Sequence, residues 1–576
     1  MPVEPTPDDN AEKRFAAGAS PAALAAPIAV MIAVLAVYAV WFARTEQALY
    51  HADQVAYWSY SRSLADLARH DPIGAVRSVI RSVAEDDVNL LPAVPISAVM
   101  LIFGGSRMVY LLAVILVYGS ATAAALVFAL RRIGARPPPW AAPLAFALLA
   151  TVWQPVFIGY LGLGGVALAL VVLGLVVPDL TAPPRTRTLL IAGCVLGILV
   201  LFRRWWGIWG VALLIVLLVD AARRYLRSDD RGLKGLKRSF RTFVLVSLGS
   251  GLTVIALAAP VLVHKLRTDY ADRFSAYTHE SLAGRWASVV DHFGLLGLLA
   301  VVAGGVLLLT AAKTRGPGAF LLAHLATTFV VMTRIQDHTP QHWWLYSAQA
   351  LLVVGWAAAE LSARLPDRKA MWSVLVSAVS GVFLTVSVFV SGGPVNRATL
   401  GPLVPSDVIR PTIRHDLDEI DRMLTYLDRG IGSSEAKLYV LSSSPTLSDH
   451  VLAFSNMSLN AAHRSPAAIL QATHVDRWHG FPRGLLTADV VLVADPVQLH
   501  LRPEFQRVVA EPAESFLEGT DIALAFDRLP EVFELDGGVV VRIFLRVRPN
   551  TPGEISALSD RLRRFYPDRP DIYSPE

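Results

Sequence analysis

At 576 residues the chain is long enough for about three or four soluble domains, yet 54% of it is apolar and only 17% is charged, with a mean hydropathy of +0.48. That leaves too little polar surface to solvate so many domains, so the apolar excess must face lipid. The net charge of +5 is too small to imply nucleic acid, and the single Cys194 rules out an intrachain disulfide. A soluble enzyme, a disulfide-stapled secreted module and a disordered chain are all excluded.

The polar, proline-rich segment 1–22 reads as a disordered tail. The first apolar run, Leu24–Phe42, is too long for a signal-peptide core and precedes no small-x-small cleavage pattern, which predicts an uncleaved span. Further runs follow at Arg107–Leu130, Trp140–Phe157, Leu161–Val177, Leu189–Leu201, Gly207–Val219, Phe243–Val263, Leu295–Thr310, Ala319–Val331, Leu345–Leu361 and Met371–Val390. The total is about eleven spans. Leu90–Gly104 is apolar but broken by prolines, and reads as a re-entrant segment or a bent lead-in to the second span. The expected architecture is a polytopic α-helical membrane protein with a C-terminal soluble α/β domain. Its divisions are a cytoplasmic tail 1–22, a membrane domain 23–391 with a first outer loop 44–92, and an outer domain 392–576.

Alternate connections are short and basic: Arg131/Arg132/Arg136, Arg185/Arg187, Arg223–Arg241, Lys313/Arg315 and Arg364/Arg368/Lys369. The positive-inside rule then puts the N-terminus in the cytoplasm and the tail outside. Few ionisable residues fall in mid-span, where an ion-coupled transporter would carry them. A lipid-linked glycan flippase and a non-catalytic scaffold with a sensing tail remain the classes competing with an enzyme.

The outward connections carry the chemistry. Tyr57, Trp58 and Tyr60 surround Asp53 in sequence, and Glu85, Asp86 and Asp87 close the first outer loop. Between them Pro72–Ala84 places Ile73, Val76, Val79, Ile80 and Val83 at helical spacing, with Arg77 and Arg81 opposite, which predicts an amphipathic helix in the headgroup plane. Arg203 and Arg204 end the fifth span beside Trp205, Trp206 and Trp209; Arg334 follows the ninth, and Lys265 lies just past the seventh. They are either snorkelling anchors or cations for a phosphate. Asp337, His338, Gln341, His342, Trp343 and Trp344 combine hydrogen-bonding groups with aromatic faces, a mixture suited to carbohydrate; Asp337, His338 and His342 could instead ligate a divalent ion.

The segments HADQVAYW (His51–Trp58), EDDVNLLPAVP (Glu85–Pro95), FRRWWGIW (Phe202–Trp209) and TRIQDHTPQHWWLY (Thr333–Tyr346) carry a family likeness. With the span pattern, the sequence resembles the GT-C membrane glycosyltransferases, in particular the protein-mannosyltransferase-like and lipid A aminoarabinose-transferase-like enzymes. The likeness covers roughly residues 24–391 and not the tail. It implies inverting transfer of a sugar from a polyprenyl-phosphate carrier to a glycan, lipid or protein acceptor on the outer face, with membrane lipids as the other partners and no nucleic acid. Asp53 matches the position of the general base. The chain has Asp53-Gln54 where protein mannosyltransferases often have Asp-Glu, which tells against a protein acceptor. Without the likeness, Asp53 would be a helix cap before Val55. Donor-phosphate candidates are Arg203, Arg204, Arg334 and Lys265. Sugar or acceptor candidates are His51, Tyr57, Trp58, Asp86, Asp87, Trp205, Asp337, His338, Gln341, His342 and Trp343. No cofactor is required by this reading; a divalent cation stays open, with no ligand set fixed.

In the tail, Pro411–Arg429 reads as an amphipathic helix, Lys437–Leu441 and Asp489–Ala494 as buried strands, and Glu531–Arg548 as a hairpin turning at Asp536-Gly537-Gly538. Ser442, Ser443, Ser444, Asp449 and Asp495 stand at strand ends that could line a crevice. With no Gly-rich phosphate loop and no nucleophile elbow, the tail is expected to bind acceptor or to pack.

Overall fold

The computed structural model describes residues 21–575, apart from 87, 181–184, 268–271, 273, 279, 365–371, 373–374, 377–378, 380–400, 407–408, 432–435 and 459–467. Each apolar run up to Leu361 forms helix, because in hydrocarbon only intrasegment hydrogen bonds can satisfy the backbone. Among the described residues, six helices are long and apolar enough to cross a membrane: Ala22–Thr45, Arg107–Arg132, Trp206–Arg227, Leu233–Pro260, Leu282–Thr310 and Ala312–Thr333. Ala141–Leu148 and Ala150–Ile158, bent by 88° from each other, make a seventh if taken as one crossing. The expected number was about eleven. The difference lies partly in Leu163–Val176 and Thr186–Phe202, which are apolar but have only 14 and 17 residues, about 21 and 26 Å of helix. Trp344–Arg364 is helical and buried along most of its length. Most of the run Met371–Val390 is outside the described residues. Leu91–Phe103, the proline-broken segment, is helical but short.

Small residues let these helices pack closely. A Cβ on Gly193 would lie 2.5 Å from the carbonyl oxygen of Val246, so Thr186–Phe202 and Leu233–Arg267 touch backbone to backbone. A Cβ on Gly165 would lie 2.2 Å from Trp206 Nε1, so the indole occupies the volume a side chain would fill. The interfacial helix forms at Pro72–Glu85. Asp71 caps it by accepting from Gly74 N–H at 2.8 Å, and Pro72 supplies a first residue that needs no donor. Ile73, Val76 and Ile80 are 60–66% exposed, while Ala75, Ser82 and Val83 are buried. Arg77 and Arg81 are exposed as well, so the exposed surface mixes apolar and basic side chains, and Val83 of the expected apolar stripe is turned inward.

The chain forms two compact units, Met1–Arg44 with Tyr57–Thr268 and Glu280–Arg410, and Thr45–Ala56 with Asp269–His279 and Pro411–Glu576. The second is an α/β unit around a five-stranded sheet of order β2-β1-β3-β5-β4, with β1 Lys437–Leu441, β2 Ala468–Ile469, β3 Val490–Asp495, β4 Phe526–Leu535 and β5 Val539–Arg546. β1 pairs in parallel with β2 and β3, while β5 runs antiparallel to β3 and β4. Alternate residues fill two cores. Tyr439, Leu441, Val491, Val493 and Phe544 pack on one face with Val508, Phe516, Leu558 and Leu562. Leu438, Val440, Leu492, Val541 and Ile543 pack on the other with Ile420, Met423, Leu424, Leu427 and the first-loop Leu49. The helix expected from Pro411 starts instead at Leu417. The residues before it are extended, since Gln47 N–H donates to Thr412 O and Arg414 N–H to Gln47 O, both at 2.8 Å. Arg414 and Asp416, both buried, then form a two-pronged ion pair at 2.8 and 2.7 Å.

Candidate functional site

In the membrane unit the structure gathers several of the expected residues around one buried cation. Arg203 follows the last residue of Thr186–Phe202 in an extended conformation and is 9% exposed. Its guanidinium lies 4.5 Å from the Tyr57 ring, 5.5 Å from Trp205 and 5.7 Å from Tyr160. Aromatic faces offset part of the desolvation of a cation without neutralising it. Trp205 stacks on Trp206 at 4.8 Å and meets the His342 ring at 6.0 Å. Burial first, then His338 and Arg203, pushes the His342 imidazole down to about 3. Its Nδ1 takes the Thr339 N–H at 3.1 Å, and its Nε2 lies 2.7 Å from the Gln336 amide. Both nitrogens of His342 are thus committed. Trp58 is buried and donates to Gly105 O at 2.9 Å.

The other expected residues of this unit spread further. Trp343 is 1% exposed, with His338 stacked at 4.6 Å and His292 at 4.7 Å. These two rings pack against it, His338 nearly parallel and His292 tilted by 37°. His338 Nε2 is 2.6 Å from the Tyr346 hydroxyl. Asp337 pairs with Arg285 at 3.0 Å and accepts from Glu280 N–H at 3.1 Å. Gln341 is half-buried, and its neighbour Pro340 lines a shallow cleft with Thr151, Gln154, Pro155, His292, Trp343 and Ile409. Asp337, His338 and His342 do not form a metal-ligand set among the described residues. Arg204 is half-buried, whereas Arg334 and Asp86 are exposed. Asp87 and the side chain of Lys265 are outside the described residues.

In the second unit, Asp53 is the first residue of helix Asp53–His70 rather than the cap before it. Ala52 precedes it with φ of 47°. Burial, then the Asp53 carboxylate, pushes the Tyr277 hydroxyl up to about 12. His51 sits among histidines of the tail, with ring centroids 5.8 Å from His450 and 6.0 Å from His500. Burial and these neighbours lower it to about 3. Burial would raise Asp449, but the rings of His450 and His474 outweigh it and hold this carboxyl below the ordinary range.

Sequence reading passed over Arg285 and Arg107. Arg107 is 8% exposed and donates to Phe157 O and Ile158 O at 3.1 Å. An arginine at the edge of an apolar run is the one signal either gives. It also passed over His450, His474 and His500, which lie 24 or more residues apart in the sequence.

No family model matches the sequence, and no curated protein does. Among solved structures, the crystal structure of ArnT from Cupriavidus metallidurans bound to undecaprenyl phosphate aligns with a TM-score of 0.51 at 14% identity, covering 90% of this chain and 97% of that one. The apo state of the same protein aligns at 0.50 and 15%, over the same shares. Coverage of 90% is more than residues 24–391 can supply, so the likeness reaches into the tail, contrary to the extent read from sequence. Along most of its length the chain therefore shares the fold of ArnT.

Proposed function

We propose that the chain is an integral membrane glycosyltransferase that moves a sugar from a polyprenyl-phosphate carrier to an acceptor hydroxyl on the outer face, with about eleven crossings and the N-terminus in the cytoplasm. The observation that carries the reading is the shared fold with ArnT, one of whose structures holds undecaprenyl phosphate. The buried Arg203 among aromatic rings supports it, because breaking the bond from anomeric carbon to phosphate oxygen leaves charge on the phosphate. In this reading Asp53 takes the proton from the acceptor hydroxyl as its oxygen attacks the anomeric carbon, and polyprenyl phosphate leaves. Arg203 stabilises the leaving phosphate, with Arg204 as the second cation. Tyr57 and Trp205 hold the Arg203 guanidinium between their rings.

The test is a transfer assay on the purified chain in lipid, with synthetic polyprenyl-phosphate sugars and an envelope lipid extract as acceptor, comparing wild type with Asp53→Asn. Transfer by the wild type and its near abolition in Asp53→Asn are expected. Robust transfer by Asp53→Asn would remove Asp53 as base, and no consumption of any lipid-linked sugar would sink the enzyme reading.

A further inference from the structure

The parallel part of the sheet has its switch point between β1 and β3, since the chain leaves β1 for β2 on one side and returns to β3 on the other. In open α/β sheets, ligands bind beyond the carboxyl ends of strands at such a point. Asp449 and His450 come from the connection after β1, His474 from the one after β2, and His500 from the one after β3. All four belong to loops at that end of the sheet.

Asp449, His450 and His474 bring one ligand atom each within 4.8 Å of one another. Asp449 Oδ1 lies 3.3 Å from His450 Nδ1 and 3.1 Å from His474 Nε2. The edge of a tetrahedron around an ion with ligands at about 2.0–2.1 Å is about 3.3 Å. Those ring nitrogens, and His51 Nε2, are buried and make no hydrogen bond among the described residues. Two imidazole nitrogens converge on one carboxylate oxygen at 3.1 and 3.3 Å without a hydrogen bond between them, which is the arrangement of ligands around a shared cation. The carboxylate is already aimed: Oδ1 accepts from His450 N–H at 2.9 Å and Oδ2 from Ala472 N–H at 2.8 Å. The His474 carbonyl is fixed by the Gln506 amide at 2.7 Å. Supports of this kind hold ligands in place behind a metal.

We infer that Asp449, His450 and His474 form a binding site for a divalent ion of the zinc class, with His51 facing its fourth position. Two imidazoles and one carboxylate suit such an ion, whereas magnesium and calcium take oxygen ligands. His500 is not a ligand through Nδ1, which takes the Gln506 amide at 3.1 Å. His51 is followed by Ala52, whose φ of 47° is a conformation that surrounding structure must impose. An ion tying His51 to the tail does so. On the glycosyl-transfer reading it also makes His51 a positioning residue for Asp53.

The test is elemental analysis of the full chain purified in detergent, stripped with EDTA and reloaded with zinc or cobalt. Wild type is expected to retain about one ion per chain, to show the visible absorption of tetrahedral cobalt and to gain thermal stability on zinc addition. Asp449→Asn and His474→Ala should lose the ion, His500→Ala should keep it, and His51→Ala should weaken it by roughly 10–100-fold. Circular dichroism checks that each variant folds. Wild type holding no more metal than His474→Ala overturns the site, and unchanged affinity in His51→Ala removes the fourth position. Metal content is read without turnover, so a chain that binds the ion and transfers no sugar refutes the glycosyl-transfer reading alone.

Discussion

Replacing Arg203 by lysine keeps a positive charge at the centre of the aromatic cluster and removes the planar fork. The guanidinium lies 4.5, 5.5 and 5.7 Å from three rings at 9% exposure, a setting that suits a planar cation. A lysine ammonium is a hydrated point charge on a flexible stem and cannot reproduce a two-pronged contact to phosphate. Losing one charge-assisted hydrogen bond is worth about 1.5–3 kcal/mol, which at about 1.4 kcal/mol per decade is a roughly 10- to 150-fold fall in kcat/KM. Arg203→Ala, which loses the charge too, should fall by about 10²–10³ in kcat. The assay is steady-state transfer at saturating acceptor across a range of polyprenyl-phosphate sugar, with thermal unfolding in the same detergent as control. If both variants fold and both retain transfer within threefold of wild type (a limit set well inside the ~10-fold lower bound), Arg203 does not hold the donor phosphate and the aromatic cluster is packing.

Arg285→Ala removes the cation paired with the half-buried Asp337 and should lower stability by about 1–3 kcal/mol, seen as a fall in Tm; adding Asp337→Ala should recover part of it, and strict additivity would refute the pairing. Gly165→Ala puts a Cβ 2.2 Å from Trp206 Nε1 and should cost about 1–3 kcal/mol by overpacking, with relief on combination with Trp206→Phe; a stable single variant would contradict the interlock. Burial raises the Asp416 carboxyl, but the Arg414 hydrogen bonds and the Asp536 N–H outweigh it and set it below its ordinary value. Its contribution is therefore full above the unfolded pKa of about 3.9 and lost as pH falls through the lower folded value. Thermal unfolding of the full chain between neutral pH and pH ~3 should show that acid limb flatten in Asp416→Asn; an unchanged slope would refute the assignment.

The membrane helices were legible because hydrocarbon leaves a continuous signature, and the interfacial helix because Ile73, Val76 and Ile80 recur at helical spacing. β1 and β3 were legible as apolar runs of strand length, and the hairpin from Gly537 and Gly538, whose φ values are 76° and 75°. Pro411–Arg414 was misread because Ile413 fits the helical stripe, although it is 50% exposed and sits in an extended segment pairing with Gln47. Arg203 was legible as a cation in the wrong place. Trp343 was legible as an aromatic but not as one covered by His338 and His292, since stacking partners are not encoded by spacing. The histidine cluster was illegible for the same reason: three loops that meet only when the sheet forms each contribute one or two residues.

Leu49 lies in the core of the second unit beside Ile420 and Leu424, and Gln47 is hydrogen-bonded to Thr412 and Arg414. In biosynthetic order this strand-like piece emerges with the first helix, and its partners are translated only after the membrane body. The second unit cannot close its core co-translationally from its own contiguous stretch; the waiting segment must be kept available until the end of synthesis. A tail released from Pro411 onward would fold around a vacancy where Leu49 belongs, so ribosome-stalled chains short of the tail should leave Tyr50 and its neighbours open to protease.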